Sequence, residues 1–184
     1  RYKDYLIDEK HFSPNVVSTL GNDTLDQKLM NYILDPKAEY GEPVLKRGLI
    51  IGDVQSGKTS TYIGFICKAA DAGYKVFILL TGTIEPLRKQ TQERVEEGFI
   101  GIDMSANTTG GKRVGVGLDN KPIHAMALTS RASDFRGNSD KIAVSLGADK
   151  DAVVFVIKKN TTTLTKLTKW LIDLNADPLT HRID

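Results

Sequence analysis

A glycine-rich segment of eight residues has the composition and spacing of a phosphate-binding loop. Residues 52–59 are Gly-Asp-Val-Gln-Ser-Gly-Lys-Thr, which matches the pattern G-x-x-x-x-G-K-[ST] at every fixed position. A side chain at Gly52 or Gly57 would obstruct the backbone N–H groups that must approach the phosphate oxygens. The segment therefore predicts a nucleotide-binding loop.

Two side chains of this loop would contact the nucleotide directly. Lys58 would place a positive charge beside the β- and γ-phosphates, and Thr59 would offer its hydroxyl to Mg²⁺, so both are candidate catalytic residues. The following helix would turn the positive end of its dipole toward the same anion. We expect ATP and Mg²⁺ as ligands, held by consecutive residues: Gly52, Asp53, Val54, Gln55, Ser56, Gly57, Lys58, Thr59 and Ser60.

The loop lies between a predicted strand and a predicted helix, which is the context that the motif requires. Residues 48–51 predict the first strand, and a helix is predicted from Lys58 to Ala72, with Gly73 as its stop. Residues 76–81 predict a parallel strand covered on both faces, because they are almost continuously apolar.

The rest of the chain continues the alternation of apolar runs and amphipathic stretches. Further strands are predicted at residues 122–129 and 152–157. Further helices are predicted at residues 85–97 and 162–175. The alternation predicts an α/β fold of the P-loop NTPase class, with a mostly parallel sheet between helices.

The remaining segments are predicted from capping and turn signals. A helix start is predicted at Ser13-Pro14, and a second at Asp23 or Thr24, whose helix is expected to end at Asp35-Pro36. Less regular structure is predicted in three places: an exposed loop or hairpin at 101–120, a loop at 131–139, and a short strand or helix at 142–146.

Length and composition indicate one globular domain, residues 44–184, preceded by a helical lead-in, residues 1–43. The chain has 25 Lys and Arg against 23 Asp and Glu, so its overall charge does not by itself predict a nucleic-acid partner. Its single cysteine, Cys67, suits a buried apolar position and a reducing, cytoplasmic compartment. No apolar stretch approaches the ~20 residues that cross a bilayer, so no membrane partner is expected.

P-loop ATPases also need an apolar strand that ends in Asp or Asp-Glu, the Walker B element. The candidates fail: Asp173 lies in a helical pattern, Asp103 enters the Gly-rich region, and Asp184 follows too few apolar residues. Asp134 begins a D-x-x-G sequence like that of a GTPase switch, but the residues before it are polar. We therefore interpret Asp134 as a loop residue.

Other metal chemistry has little support in the sequence. The D-x-K pattern of restriction-type nucleases occurs at Asp8, Asp26, Asp35 and Asp119, and so short a pattern discriminates nothing. We interpret these residues as solvated charges. The three histidines are far apart and only one cysteine exists, so the metal expected is Mg²⁺ with the nucleotide.

Three ordered segments resemble the Z1 domain family. They are residues 47–59 around the glycine-rich loop, residues 68–75 and residues 87–94, and residues 153–160 also resemble that family. The family is described as endonucleases with a helicase-like ATPase core, found in bacterial restriction and phage defence. The resemblance implies a RecA-like lobe of the superfamily-two helicase type that acts on DNA.

The resemblance also implies positions for nucleic-acid contacts and for the missing Walker B strand. Residues 81–83, and residues 87–90 with Arg88 among them, stand where that group contacts nucleic-acid backbone. In that family the Asp-Glu strand follows a segment like the present C-terminus. We therefore expect this chain to be an N-terminal portion of a longer protein, with its Walker B, second-lobe and nuclease residues beyond Asp184, and the remaining lobes of the same polypeptide as partners.

The residues that follow the strands indicate the same partner independently. In an open α/β sheet, ligands gather outside the carboxyl ends of the strands. Short hydroxyls, amides and cations suit phosphodiester oxygens, and they follow two predicted strands: Thr81, Gly82 and Thr83 after one, and Lys158, Lys159, Asn160 and Thr161 after the other. The alternative is that Thr83 and residues 160–162 cap the next helices, and the two roles are compatible.

Three functions fit these observations. The first is an ATP-binding and, in the full-length protein, ATP-hydrolysing module of a DNA-directed, helicase-like protein. The second is a small-molecule or nucleoside kinase, although a long segment precedes the loop and no arginine-rich lid is visible. The third is a nucleotide sensor that does not hydrolyse its ligand, a reading that depends on the absence of the Walker B strand.

Overall fold

The computed structural model describes most of the chain: residues 1–29, 33–41, 44–51, 53, 57–106, 108–119, 122–136 and 152–175. The segment predicted at 142–146 lies outside these residues. Two units divide the chain, Arg1–Tyr74 and Lys75–Asp184, whereas the sequence predicts a boundary after residue 43. Within the described residues, no helix is both long enough and apolar enough to cross a membrane.

The first unit consists of helices. They are α1 (Tyr2–Asp8), α2 (Pro14–Ser18), a wider π-helical segment (Thr19–Leu29) and α3 (Lys58–Ala72). The start of α2 is confirmed, because the Ser13 side chain accepts a hydrogen bond from the Val16 N–H and Pro14 occupies the first turn.

The second helix start, predicted at Asp23 or Thr24, is wrong. Both residues lie inside the π-helical segment, which continues from α2 without a break. The N–H of Thr19 bonds back to the carbonyls of Asn15 and Val16, so the chain is already helical before it reaches Asp23. A residue that favours the N-cap position does not begin a new helix when the turn before it is already helical.

The helices of the first unit pack through small and apolar residues. The buried set comprises Tyr5, Leu6, Val17, Leu25, Ile63, Ile66 and Ala69. On α3, a Cβ at Gly64 would lie 2.7 Å from the Leu25 Cδ1 and 3.3 Å from the Tyr2 Cε1. A larger residue at Gly64 would therefore separate α3 from the helices that precede it.

The strand predicted at residues 48–51 is wrong. Residues 44–51 form neither helix nor strand, and Leu49 and Ile51 are 84% and 85% exposed. A strand obtains its hydrogen bonds only from a neighbouring strand, so a short β-favouring run that pairs with none remains irregular.

The second unit contains a three-stranded sheet of β1 (Val76–Thr81), β4 (Ala125–Ala127) and β5 (Ala152–Lys158). Its order is β1-β5-β4, and both pairs are parallel. Helices α4 (Glu85–Val95) and α5 (Thr161–Asn175) belong to the same unit. The predicted α/β class with a parallel sheet flanked by helices is therefore confirmed.

The strands differ in how far they are covered. In the central strand β5, residues 153–157 are all 0% exposed, as a continuous apolar run in a parallel sheet predicts. In β1, Ile78 and Leu80 are 41% and 50% exposed. Ile78 and Leu80 are two positions apart and therefore lie on the same face of β1. The expected coverage of both faces of β1 is wrong, because this face stays partly open to solvent.

An aromatic cluster joins β5 to α5. The rings of Phe135, Phe155 and Trp170 pack edge to face, with centroids 5.3 to 5.9 Å apart. Val153, Ile157 and Leu167 complete the buried cluster. The amphipathic pattern that predicted α5 thus places Leu167 and Trp170 against the central strand.

A small hairpin follows α4, which ends in a π-helical turn (Glu96–Ile100). Strands β2 (Ile102–Asp103) and β3 (Lys112–Arg113) pair antiparallel and lead to a 3₁₀ turn (Gly115–Gly117), so the hairpin expected within residues 101–120 is confirmed. A Cβ at Gly117 would overlap the carbonyl of Gly101. The glycines of this segment allow its backbone to contact the end of α4 closely.

We expect Gly117→Ala to lower the free energy of unfolding by about 3 kcal/mol, because the added methyl overlaps main-chain atoms that cannot rotate away. Gly110→Ala is the matched control. A Cβ at Gly110 would meet no described atom within 4 Å, and the φ of +83° there leaves only backbone strain of about 1 kcal/mol. Urea unfolding of both variants measures the difference, and equal losses would contradict the close packing.

Candidate functional site

The C-terminal end of the glycine-rich loop leads directly into a helix. Gly57 has φ 79° and ψ 16°, in the left-handed region that glycine adopts without strain, and α3 begins at the next residue. The N–H and the hydroxyl of Thr61 both donate to the Gly57 carbonyl, at 3.0 and 3.2 Å. The predicted helix start at Lys58 and its end before Gly73 are confirmed.

Lys58 turns back over the loop. Its ammonium donates a hydrogen bond to the main-chain carbonyl of Asp53. Asp53, Gly57, Lys58 and Thr59 are exposed, and Ser60 is partly buried. The other residues expected to contact the nucleotide lie outside the described residues: Gly52, Val54, Gln55 and Ser56.

The first helix of the chain contacts the first turn of α3. The Tyr2 hydroxyl donates to the Ser60 carbonyl at 3.1 Å. Burial raises the pKa of Tyr2 well above its usual value, so this phenol is a neutral donor at physiological pH. The sequence did not predict this contact, because nothing in the local pattern connects Tyr2 with a residue so far along the chain.

Cys67, on the same helix, is half-buried. Burial, with a smaller contribution from Asp71, raises the pKa of its thiol to about 12. The thiol is therefore protonated at neutral pH and lacks the thiolate that redox or nucleophilic chemistry needs. This agrees with the apolar role expected from the sequence.

In the second unit, the structure brings the two polar strand ends together. Thr81 and Lys158 are register partners at the ends of β1 and β5. The Thr81 hydroxyl donates to the Ile157 carbonyl at 3.1 Å, and the Lys159 N–H donates to the Thr81 carbonyl at 3.3 Å. We call this region the strand-end surface, and its exposed residues are Gly82, Thr83, Lys159, Thr161 and Thr162.

The capping alternative is confirmed for one residue and wrong for another. Asn160 caps α5, because its Oδ1 accepts the Thr163 N–H at 2.8 Å. Thr83 does not cap α4: the cap position is Ile84, and among the described residues no side chain caps this helix. Thr83 therefore keeps an exposed hydroxyl that this capping role does not explain.

Arg88 has a different position from the one expected for a nucleic-acid contact. It is 0% exposed, and its guanidinium donates to the Glu85 Oε1 at 2.7 and 2.8 Å. It also donates to the carbonyls of Ser130 and Arg131, at 2.9 and 3.1 Å. The expectation that Arg88 contacts phosphodiester oxygens does not fit this position, since a buried cation occupied by internal acceptors cannot reach a ligand on the surface.

Lys158 lies between two carboxylates. Its ammonium is 3.0 Å from the Glu85 Oε2 and 3.9 Å from the Asp134 Oδ2. The Lys158 N–H also donates to the Asp134 Oδ2 at 3.4 Å. The sequence did not predict that Glu85 and Asp134 would contact Lys158. One signal was present for Asp134: β4 and β5 are parallel neighbours, so the loop that follows β4 begins beside the carboxyl end of β5.

A buried polar network holds that loop against α4. The Thr129 hydroxyl accepts the Val156 N–H at 2.9 Å and donates to the Gln92 Oε1 at 2.7 Å. Gln92 donates to Glu96 at 2.9 Å, and Glu96 accepts the Arg131 Nε at 2.5 Å. Burial raises the pKa of Glu96, and the Arg131 hydrogen bond opposes that rise.

The part of the chain that the structure describes contains no group of three or more His, Cys, Asp or Glu side chains that could hold a metal ion. Thr59, the residue that the sequence predicts to hold Mg²⁺ with the nucleotide, is exposed at the start of α3.

Comparison with protein-family models, with curated proteins and with solved structures finds no match for this chain.

We expect the ion pairs of Glu85 to make the second unit sensitive to acid. The hydrogen bonds from Arg88, aided by Lys158, lower the pKa of Glu85 from its ordinary 4.5 to about 2. A lowered pKa in the folded state contributes stability above pH 4.5 that is lost as the pH falls toward about 2. Because the side chain is a third exposed, we expect this contribution to be about 1 kcal/mol.

The measurement is urea unfolding of wild type and Glu85→Gln between pH 7 and pH 2.5. The difference between the two proteins should be largest near neutral pH and should shrink below about pH 4.5. Asp173→Asn, at an exposed position on α5, controls for the removal of one carboxylate. A constant difference between wild type and Glu85→Gln at every pH would contradict the assigned ion pairs.

Proposed function

We propose that this chain is the ATP-binding module of a DNA-directed, helicase-like protein that hydrolyses ATP in its full-length form. The observation that carries the proposal is the start of α3: a left-handed Gly57 leads directly into Lys58, whose ammonium faces the Asp53 carbonyl across the loop. The complete G-x-x-x-x-G-K-[ST] sequence at these positions supports the same assignment. The resemblance to the Z1 domain family extends it to restriction or phage defence.

Each residue of the loop would contribute a separate interaction to nucleotide binding. Lys58 would exchange its carbonyl acceptor for phosphate oxygens, a stronger acceptor because they carry full negative charge. Thr59 would bind the Mg²⁺ of the nucleotide, and this ion would partly neutralise the negative charge of the phosphates. The N–H groups of the first turn of α3, together with its dipole, would face the same phosphates.

The test is calorimetric titration of the full chain with MgATP. Lys58→Ala should weaken binding by about 100-fold or more, because a charge-assisted contact to the phosphates is lost. The matched control is Lys46→Ala, which removes the same charge from an exposed position outside the loop and should leave affinity unchanged. Equal affinities for wild type and Lys58→Ala would refute the nucleotide site.

Hydrolysis needs a carboxylate that the described sheet does not supply. Among the strands that the structure describes, the parallel ones end at Thr81, Ala127 and Lys158, and none of these residues is acidic. This observation favours, for the chain by itself, the third function named above, a nucleotide sensor that holds its ligand without hydrolysing it.

We therefore expect MgATP to bind to this chain without measurable turnover. Phosphate release by wild type should equal that of Lys58→Ala, because none of the described parallel strands ends in a Walker B carboxylate. Turnover that depends on Lys58 would contradict this expectation. It would show that a carboxylate within the chain orients the attacking water.

The nucleic-acid part of the proposal rests on the strand-end surface. Exposed hydroxyls of Thr83 and Thr161, the backbone N–H of Gly82 and the Lys159 ammonium are groups that bind phosphodiester oxygens. The N-terminus of α5, at Thr161, opens on the same surface. These features support a phosphate-backbone contact that does not depend on base sequence.

A further inference from the structure

On the strand-end surface, the Lys158 ammonium that could bind a phosphodiester already pairs with carboxylates of the protein. Lys158 stands at the end of the central strand as the register partner of Thr81, so it would lie beside a phosphodiester bound along the strand-end surface. Its side chain is only 27% exposed, and two carboxylates lie within 4 Å of it. The positive charge is therefore already neutralised inside the protein.

The two carboxylates are not equivalent. Glu85 shares its Oε1 with the buried Arg88 and its Oε2 with Lys158, so removing it also leaves a buried guanidinium without its acidic partner. Asp134 contacts Lys158 through Oδ2, while its Oδ1 accepts the Phe135 N–H at 2.8 Å. An asparagine at position 134 retains an oxygen for the Phe135 N–H. It loses the charge and, with it, the oxygen that accepts the long hydrogen bond from the Lys158 N–H.

Other cations near the strand ends are already occupied. Arg131, in the loop that carries Asp134, pairs with Glu93, Glu96 and Asp103. Arg88 is buried. Lys159 is exposed, whereas Lys158 pairs with Glu85 and Asp134.

We infer that Asp134 is an autoinhibitory residue that holds Lys158 away from nucleic acid, so that a phosphodiester must displace the Asp134 carboxylate before Lys158 can bind it. The inference rests on the proposed DNA-binding function and adds a regulatory element to it. The exchange is a competition between Asp134 and a phosphodiester for the Lys158 ammonium, which Glu85 also contacts. Its strength is that of a partly exposed ion pair, which solvent and salt both weaken.

The experiment measures binding of a fluorescently labelled single-stranded DNA to the full chain by anisotropy, at several salt concentrations. Asp134→Asn should tighten binding about 5-fold at low salt, because a partly exposed ion pair no longer opposes it. The dependence of log affinity on log salt should steepen by about 0.7, the value for one more neutralised phosphate of a single strand. Lys158→Ala should weaken binding.

The double variant Asp134→Asn/Lys158→Ala is the decisive measurement. If Asp134 acts through Lys158, the double variant binds no more tightly than Lys158→Ala alone. Asp173→Asn removes the same charge from an exposed position on α5 and should bind like wild type. An equal gain in Asp173→Asn, or a gain that persists in the double variant, would assign the effect to net charge and overturn the inference.

Two further outcomes separate this inference from the proposed function. If Lys158→Ala weakens binding but Asp134→Asn leaves it unchanged, the strand-end surface binds DNA and the autoinhibition is refuted. If Lys158→Ala has no effect, or no variant binds DNA even at low salt, the proposed DNA contact fails and the inference fails with it. Thermal unfolding of each variant establishes that the changes are not due to loss of folded protein.

Discussion

The full burial of β5 constrains every other element of the second unit. Its residues 153–157 expose nothing, so their backbone groups must be satisfied by β1 and β4 and their side chains covered on both faces. The aromatic rings of Phe135 and Trp170 provide part of that cover. Because parallel neighbours end on the same side, the arrangement brings the polar residues after β1, β4 and β5 to one edge.

Arg88 shows how one buried charge organises that edge. An unpaired guanidinium inside a protein costs several kcal/mol, so the surrounding groups must supply acceptors for it. Glu85 supplies a carboxylate, and the carbonyls of Ser130 and Arg131 supply the rest. These carbonyls belong to the loop that carries Asp134, so the buried arginine fixes the loop that presents a carboxylate to Lys158.

The sequence predicted the elements whose signals are local. Local signals lie within a few positions of each other, and the structure agrees with three of them. They are the limits of α3, the cap of α5 by Asn160, and the hairpin of β2 and β3. The strand predicted at 48–51 is wrong, because local residues do not show whether a partner strand is present to pair with it. For the same reason Asp23 failed as a helix start once the preceding turn had formed.

The role of Arg88 could not be predicted either, since its residue type favours the surface and its acceptors at positions 130 and 131 are distant in sequence. Glu85, by contrast, lies one helical turn before Arg88, and that spacing is a local signal for an ion pair. The spacing identifies the pair but not its burial. Whether a cation faces solvent or the interior depends on what the rest of the fold places over it.

Lys58 and Lys158, the two lysines of the proposed function, differ in the charge of the acceptors that they contact in the structure. Lys58 donates to a main-chain carbonyl, a neutral dipole that a triphosphate with several negative charges readily replaces. Lys158 faces two full negative charges, and a single phosphodiester carries only one. A phosphodiester at the strand ends would therefore have to compete with carboxylates that carry the same charge as its own.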